Sequence, residues 1–190
     1  VDSRETVEKV IAMSSGLVII DEAYGQFSSW SAAELVADDA PVVVVRTFSK
    51  TWSMAAARLG YAIAPAWLVA ELDKVVLPYH LDAVKQLAGT LAVKHVAAMN
   101  DRVRAVVTER ERLVDAMSRL DLDVFPSGAN FVLFRPRGRT GRSVWQGLLD
   151  RSVLVRDCSG WPRLTDCLRV TIGTPNENDA FLAALKEVVS

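Results

Sequence analysis

The sequence predicts an α/β fold with a mostly parallel sheet covered by helices, followed by a smaller α+β unit. Two short runs of mainly β-branched residues, 17–20 and 42–46, are typical of strands that are buried on both faces of such a sheet. Each run ends directly in a polar residue, Asp21 or Thr47. A sheet of this class binds its ligands at the carboxyl ends of its strands, so these two positions are candidate site residues.

The other elements of the first part of the chain follow from apolar spacing and from capping residues. A helix is predicted over residues 2–13, with Asp2 and Glu5 as its capping box. A third strand is predicted over residues 60–64. Apolar residues then recur at helical spacing over residues 65–76 and 83–120.

After residue 121 the pattern changes to that of a separate α+β unit. Thr174, Pro175 and Glu177 supply an N-cap, a proline at the first helical position and a capping glutamate for the last helix. We therefore expect two domains, residues 1–100 and 101–190. Strands are predicted near residues 124–125, 130–134, 153–155 and 168–172, and helices near residues 143–151 and 178–188.

The composition argues against several classes of function. The 190 residues include 22 Lys and Arg against 23 Asp and Glu, so the chain lacks the positive excess that nucleic-acid binding requires. Its apolar runs are far shorter than the roughly 20 residues that cross a bilayer. Cys158 and Cys167 fit neither a disulfide framework nor a zinc site. We expect a cytoplasmic protein with no metal, nucleic-acid or membrane partner.

The densest group of reactive residues lies around Lys50, which follows the second predicted strand. A lysine at the mouth of a buried strand is partly desolvated, which favours the neutral amine that forms a Schiff base. The hydroxyls of Thr47 and Ser49 and the guanidinium of Arg58 are groups that bind a phosphate dianion. Asp21, if it faces the same pocket, would keep a pyridine nitrogen protonated. Together, in this order and spacing, these residues indicate a cofactor site.

Three strings, VIIDEAY from residue 18, TFSKTWSMAAARLGY from residue 47 and LRVTIGTPNEN from residue 168, carry a family resemblance. They resemble the fold-type I aminotransferases that depend on pyridoxal 5'-phosphate. The third string favours the histidinol-phosphate aminotransferase branch, and the resemblance covers essentially the whole chain. It implies part of the large domain of that fold plus a C-terminal α+β small domain. The implied reaction transfers an amino group from histidinol phosphate to 2-oxoglutarate in histidine biosynthesis.

The same resemblance implies a role for each residue of the cofactor site. Lys50 matches the Schiff-base lysine, which also carries a proton between the substrate α-carbon and the cofactor. Asp21 matches the partner of the pyridinium nitrogen, and Tyr24 matches the donor to the phenolic oxygen. The phosphate-binding positions correspond to Thr47, Ser49 and Arg58.

Substrate binding is assigned by resemblance to residues of the second half. Arg169 matches the arginine that binds the substrate carboxylate or, in the histidinol-phosphate branch, its phosphate. Arg156 matches a second arginine near the same group, although an ion pair with Asp157 or Asp166 is an alternative. Asn130 also fits the family pattern, and it is equally a turn residue. The arginines at positions 135, 137, 139 and 142 are assigned instead to an exposed hairpin loop.

The resemblance implies a homodimer in which Tyr79 and His80 lie near the subunit interface. The N-terminal region that completes the cofactor site in this family is not found in the sequence. We therefore expect exposed apolar surface and weak cofactor binding for this chain alone.

Several alternatives keep the same residues. An aminotransferase for aromatic or other amino acids, or a relative of threonine-phosphate decarboxylase, would retain Lys50 and Arg58. From another class, the chain could be a catalytically silent piece that acts only in dimerisation or as a scaffold. A nucleotide-binding domain has little support, because no Gly-rich turn follows a predicted strand.

Overall fold

The computed structural model describes residues 2–190 and divides into two compact units. The first unit ends at Val103, and the second runs from Arg104 to Ser190. Each unit contains one sheet. Within residues 2–190, no helix is both long and apolar enough to span a membrane.

The first unit contains a three-stranded sheet with the strands in sequence order. Its strands are β1 (Val18–Asp21), β2 (Val42–Thr47) and β3 (Gly60–Ile63). Its helices are α1 (Arg4–Met13), α2 (Ala66–Asp73), α3 (Ala83–Ala92) and the beginning of α4 (Val96–Ser118). Short 3-10 helices cover Gly25–Phe27, Ala32–Leu35, Ala55–Ala57 and Val93–His95.

The strand pairing of the first unit confirms the parallel arrangement only in part. β1 and β2 are parallel, with Asp21 opposite Val45. β2 and β3 are antiparallel, with Thr47 opposite Gly60. The connection between these two strands contains only a three-residue 3-10 helix. A parallel return needs a crossover that usually contains a longer helix, so this short connection turns the chain back beside β2.

Burial separates the two parallel strands. Val42 and Val44 of β2 are completely buried and pack against Ala32. In β1, by contrast, burial alternates along the strand, and Ile19 is 65% exposed. The expectation that this strand is buried on both faces is therefore wrong for the chain as described. β1 forms one edge of the sheet, and α1 covers one of its faces through Val7.

The second unit has a four-stranded sheet in the order β4-β5-β7-β6, and all its pairs are antiparallel. The strands are β4 (Leu122–Val124), β5 (Phe131–Pro136), β6 (Arg156–Asp157) and β7 (Leu168–Thr171). The helices are the rest of α4, α5 (Gly141–Leu149) and α6 (Pro175–Val189).

One face of this second sheet forms the core of the unit. Burial alternates along β5, with Val132 and Phe134 fully buried. They pack with Leu113 and Met117 from α4, which lie on the apolar stripe predicted for that helix, and with Leu185 from α6. The opposite face of the sheet is less buried and mixed in character, since it carries Phe131, Leu133 and Arg135 from β5.

Two sequence predictions are wrong in detail, because local capping decides where elements begin and end. The predicted capping box of Asp2 and Glu5 is absent, since Ser3 is the N-cap of α1 and accepts a hydrogen bond from the Thr6 N–H. The strand predicted over residues 153–155 begins instead at Arg156. The Val153 N–H still donates to the Leu148 carbonyl and so belongs to the end of α5.

The capping box of α6 is confirmed and gives a stability prediction. The Thr174 side chain accepts from the Glu177 N–H, and Glu177 accepts from the Thr174 N–H at 2.7 Å. Replacing Thr174 with alanine is expected to lower the free energy of unfolding by about 0.5–2 kcal/mol. Urea denaturation measures the change. The exposed Thr165→Ala is the matched control, and an equal loss in both variants would contradict the role of the cap.

Candidate active site

Lys50 lies in a tight turn directly after β2. The Ser53 N–H donates to the Lys50 carbonyl at 3.2 Å, and Ser53 adopts a left-handed backbone conformation with φ of 57°. The Lys50 ammonium nitrogen is 5.2 Å from the centre of the Tyr24 ring. This distance is within the range of a cation–π contact, so the structure brings Lys50 and Tyr24 together.

The hydroxyl of Thr47 organises the turn that carries Lys50. It accepts a hydrogen bond from the Ser49 N–H at 3.0 Å and donates to the Leu59 carbonyl at 3.3 Å. Leu59 is followed by Gly60, which pairs with Thr47 across the sheet. The turn after β2 and the start of β3 are therefore held together at one end of the sheet.

Arg58 lies at the other side of that connection, directly before Leu59. It is exposed, has a left-handed backbone conformation with φ of 51°, and donates from Nη1 to the Ala55 carbonyl at 3.1 Å. Among the contacts of residues 2–190, none joins its guanidinium to Thr47 or Ser49. Its predicted role in phosphate binding stays a prediction.

Asp21 is the last residue of β1 and is exposed. Its carboxylate accepts from the Ala23 N–H at 2.8 Å, which fixes the side chain against the following turn. Asp21 and Tyr24 both line a pocket beside this turn. The Asp21 carboxylate is therefore accessible to a ligand at the carboxyl end of β1, as predicted from the sequence.

A buried ion pair beside these residues was not found from the sequence. Arg46 donates to Glu22 from Nε at 3.0 Å and from Nη2 at 2.9 Å, and their side chains are only 17% and 8% exposed. Burial opposes the charge of Arg46, but hydrogen bonds with Tyr61 and Glu22 outweigh it and raise the pKa of the guanidinium. A signal was present, because charged residues are rarely buried unless they are paired, and Arg46 continues an apolar strand.

A second link, which no pattern in the sequence predicts, joins the two turns of the site. Thr51, next to Lys50, is buried and its hydroxyl donates to the Gln26 side-chain oxygen at 2.7 Å. Gln26 lies in the short helix that follows Tyr24. No sequence pattern pairs these two residues, since they are 25 positions apart.

The predicted substrate residues lie in the second unit, on the face of its sheet opposite the core. Arg156 and Arg169 are direct cross-strand neighbours, and Leu133 pairs with Arg169 on its other side. The Arg169 Nε is buried without a hydrogen-bond partner among residues 2–190. Its guanidinium lies 4.8 Å from the centre of the Phe131 ring. Two positive charges therefore stand side by side on this face.

The alternative of an ion pair for Arg156 finds no support in the described contacts. Asp157 accepts from the Ser159 N–H at 2.9 Å, and Asp166 accepts from the Gly141 N–H at 2.7 Å. Burial raises the pKa of the nearby Cys158 thiol, while the charges of Arg169 and Arg156 oppose that rise. Arg156 itself is exposed, so its guanidinium is accessible to an anion.

The prediction that Arg135 lies in an exposed loop is wrong. It lies in β5, two residues after Leu133, and so shares a face with Arg169. Its Nη2 is 3.5 Å from the Cys167 sulfur. The pattern was misread because the strand continues to Pro136 before the loop begins. Asn130 precedes this strand, and its carbonyl accepts from the Ile172 N–H at 2.9 Å.

Tyr79 and His80 lie in the exposed segment between α2 and α3. Tyr79 is 99% exposed, and the His80 Nδ1 is 3.1 Å from the Leu77 carbonyl oxygen. Both side chains are accessible, and their predicted place at a subunit interface stays a prediction.

Pyridoxal phosphate fits the chemistry of the donor set in the first unit. The amine of Lys50 and the phenol of Tyr24 are within cation–π range, and the carboxylate of Asp21 ends the neighbouring strand. The hydroxyls of Thr47 and Ser49 add neutral donors beside Lys50. These groups are able to hold a cofactor with an aldehyde, a pyridine nitrogen and a phosphate.

Comparison with known proteins identifies the family. The model of the aminotransferase class I and II family matches residues 1–185, so the chain belongs to this family. A histidinol-phosphate aminotransferase from Mycolicibacterium smegmatis is 44% identical over 179 residues, which are 93% of this chain and 46% of that protein. The chain thus spans about half the length of such relatives.

Solved structures have the same fold and confirm the predicted fold class. The histidinol-phosphate aminotransferase from Clostridium acetobutylicum superimposes with a TM-score of 0.89 at 23% identity, covering 98% of this chain and 59% of that one. The enzyme of that name from Sinorhizobium meliloti, in complex with pyridoxal-5'-phosphate, gives a TM-score of 0.80 at 25% identity, covering 96% and 52%. The chain is therefore part of a fold-type I structure.

Proposed function

We propose that this chain is the C-terminal part of a pyridoxal-phosphate-dependent aminotransferase that takes the amino group of histidinol phosphate and passes it to a 2-oxo acid, expected to be 2-oxoglutarate. The observation that carries the proposal is the position of Lys50, which lies in the turn after β2, the strand that pairs with the Asp21-bearing β1, with its ammonium nitrogen 5.2 Å from the centre of the Tyr24 ring. Family membership and the name of the 44% identical relative support it. The place of the reaction would be histidine biosynthesis in the cytoplasm.

Each proposed cofactor-site residue of the first unit would have a distinct role. Lys50 would bind the cofactor covalently and, once released, carry a proton to and from the substrate α-carbon. Asp21 would keep the pyridine nitrogen protonated, and Tyr24 would donate to the phenolic oxygen. The bound cofactor supplies an electron sink for the charge that develops at that carbon. The phosphate would be held by Thr47, Ser49 and Arg58.

The second unit would recognise the substrate. Arg156 and Arg169 are cross-strand neighbours, so their two guanidinium groups could bind one phosphate dianion through charge-assisted hydrogen bonds. Asn130 would add a polar contact. We assign residues 1–100 to the cofactor-binding large domain and residues 101–190 to the small domain. Tyr79 and His80 would lie near the interface of a homodimer.

The half-reaction tests the substrate, because it is stoichiometric and needs no rapid turnover. Histidinol phosphate added to the cofactor-loaded chain is expected to bleach the band of the covalently bound cofactor, and 2-oxoglutarate to restore it. Arg169→Leu should raise the concentration of histidinol phosphate for half conversion about 10–100-fold, since it removes charge-assisted hydrogen bonds.

Arg137→Leu is the matched control, because Arg137 is exposed and pairs with Asp123 at 2.7 Å. It removes the same charge from the same unit and should leave the concentration unchanged. Conversion by phenylalanine but not histidinol phosphate would assign an aromatic substrate instead. Release of carbon dioxide from threonine phosphate would favour the decarboxylase relatives. Absence of any covalently bound cofactor would favour the alternative that the chain is a catalytically silent piece acting only in dimerisation or as a scaffold.

A further inference from the structure

The ion pair of Glu22 and Arg46 connects the ends of the two strands that carry the proposed cofactor residues. Glu22 directly follows Asp21, and Arg46 directly precedes Thr47. The two Arg46 nitrogens donate to the same carboxylate oxygen at 3.0 and 2.9 Å. Because β1 and β2 are parallel neighbours, this ion pair holds together the carboxyl ends of the two strands.

Both oxygens of the Glu22 carboxylate accept hydrogen bonds. Its Oε1 accepts from the Ala32 N–H at 2.6 Å, and the Ser31 hydroxyl donates to Oε2 at 2.9 Å. All its partners are donors. A glutamine at this position would turn its NH2 group towards donors in either orientation, leaving Arg46 with a poorer partner.

The turn that carries Tyr24 closes around the Glu22 side chain. The Gly25 N–H donates to the Glu22 carbonyl at 3.0 Å. A Cβ atom at Gly25 would lie 2.7–2.9 Å from three Glu22 side-chain atoms, so the glycine is needed for this close approach. The position of Tyr24 between Glu22 and Gly25 therefore depends on where the carboxylate is held.

We propose that Glu22 and Arg46 are positioning residues, which fix Asp21 and Tyr24 relative to Lys50. The claim that these residues serve a cofactor site rests on the proposed function. The claim that the ion pair orders the turn is testable without cofactor. Apolar residues often replace a buried ion pair without loss of stability, so stability alone does not account for the pair. A pair at this place instead gives a defined geometry to the residues on both sides of it.

The first experiment measures amide hydrogen exchange in the chain without cofactor. The reporter is the Ala23 N–H, which donates to Asp21 at 2.8 Å. Glu22→Gln is expected to speed its exchange about tenfold, because the turn loses its anchor and opens locally. Unchanged exchange of this amide in a folded Glu22→Gln chain would overturn the proposal.

The matched control is Asn178→Ala in the second unit. Asn178 is also buried, at 2% exposure, and also holds a turn, since it accepts from the Gly173 N–H at 3.0 Å and donates to Glu109 at 2.8 Å. Its loss should leave the Ala23 exchange rate unchanged. An equal increase in both variants would mean general destabilisation and would also overturn the proposal.

Arg46→Lys keeps the test decisive where Glu22→Gln fails to fold. It retains the charge and removes the two-pronged guanidinium geometry. We expect a smaller but measurable rise in Ala23 exchange. A folded Arg46→Lys chain with the exchange rate of the unsubstituted chain would show that geometry is not what the pair provides.

Titration with pyridoxal phosphate then connects the pair to the site. Glu22→Gln and Arg46→Lys should each weaken cofactor binding several-fold and displace the absorption maximum of the bound cofactor, while Asn178→Ala should do neither. If a variant with faster Ala23 exchange binds the cofactor with unchanged affinity and an unchanged absorption maximum, the claim that the ion pair positions the cofactor-site residues is overturned. If the unsubstituted chain shows no Lys50-dependent band, the proposed function of this chain fails, and the exchange rates still decide whether the pair orders the turn.

Discussion

Replacing Phe134 with alanine is expected to lower the free energy of unfolding by about 3–5 kcal/mol, the usual cost of removing a buried aromatic ring. Phe134 is fully buried in the middle of β5, and its ring meets that of Phe181 edge to face at 6.1 Å. The substitution removes that contact and leaves a cavity between the sheet and α6. The neighbouring elements relax only in part, because each is held by its own hydrogen bonds.

Urea denaturation measures this loss, and Leu154→Ala in the same unit provides the control. Leu154 is 76% exposed, so its truncation should change the free energy of unfolding by no more than about 0.5 kcal/mol. Similar losses in the two variants would mean that the face of β5 bearing Phe134 does not form the core.

The sequence predicted those features that depend on neighbours along the chain. The β-branched run before Thr47 predicted β2, and the Thr174 capping box predicted the start of α6. Asp21 was predicted because it follows such a run directly, and Lys50 because it lies in the polar segment that begins with Thr47 after the second run. Their joint meaning came from the family resemblance, since a lysine or an aspartate at a strand end is commonly only solvated or a cap.

Features that depend on partners distant in sequence were missed. Nothing in the strings around Glu22 and Arg46 states that these residues meet, because 24 positions separate them. The antiparallel direction of β3 was missed for a related reason. Apolar spacing indicates a strand but not its direction, which here follows from the short connection after Lys50.

The faces of the second sheet show the same limit. Arg135 was assigned to a loop because Arg137 and Gly138 follow it closely, although strand pairing continues to Pro136. The cross-strand placement of Arg156 beside Arg169 depends on the register of β6 with β7. Register is set by tertiary packing, which a pattern along one segment does not reveal.

Lys50→Ala is expected to have the largest effect on the proposed chemistry, namely complete loss of covalently bound cofactor. An amine is the group that condenses with the aldehyde, and alanine offers none. Lys9→Ala is the control for adventitious reaction with surface lysines, since the Lys9 side chain is 69% exposed. It should leave the amplitude of the absorption band of the covalently bound cofactor unchanged.

The visible absorption of the chain titrated with pyridoxal phosphate, compared with that of Lys50→Ala, tests the central claim most directly. We predict a band at longer wavelength than that of free cofactor, which reaches saturation as cofactor is added to the unsubstituted chain or to Lys9→Ala and is absent from Lys50→Ala. The same signal in all three proteins would contradict the assignment of Lys50 as the residue with which this chain holds the cofactor.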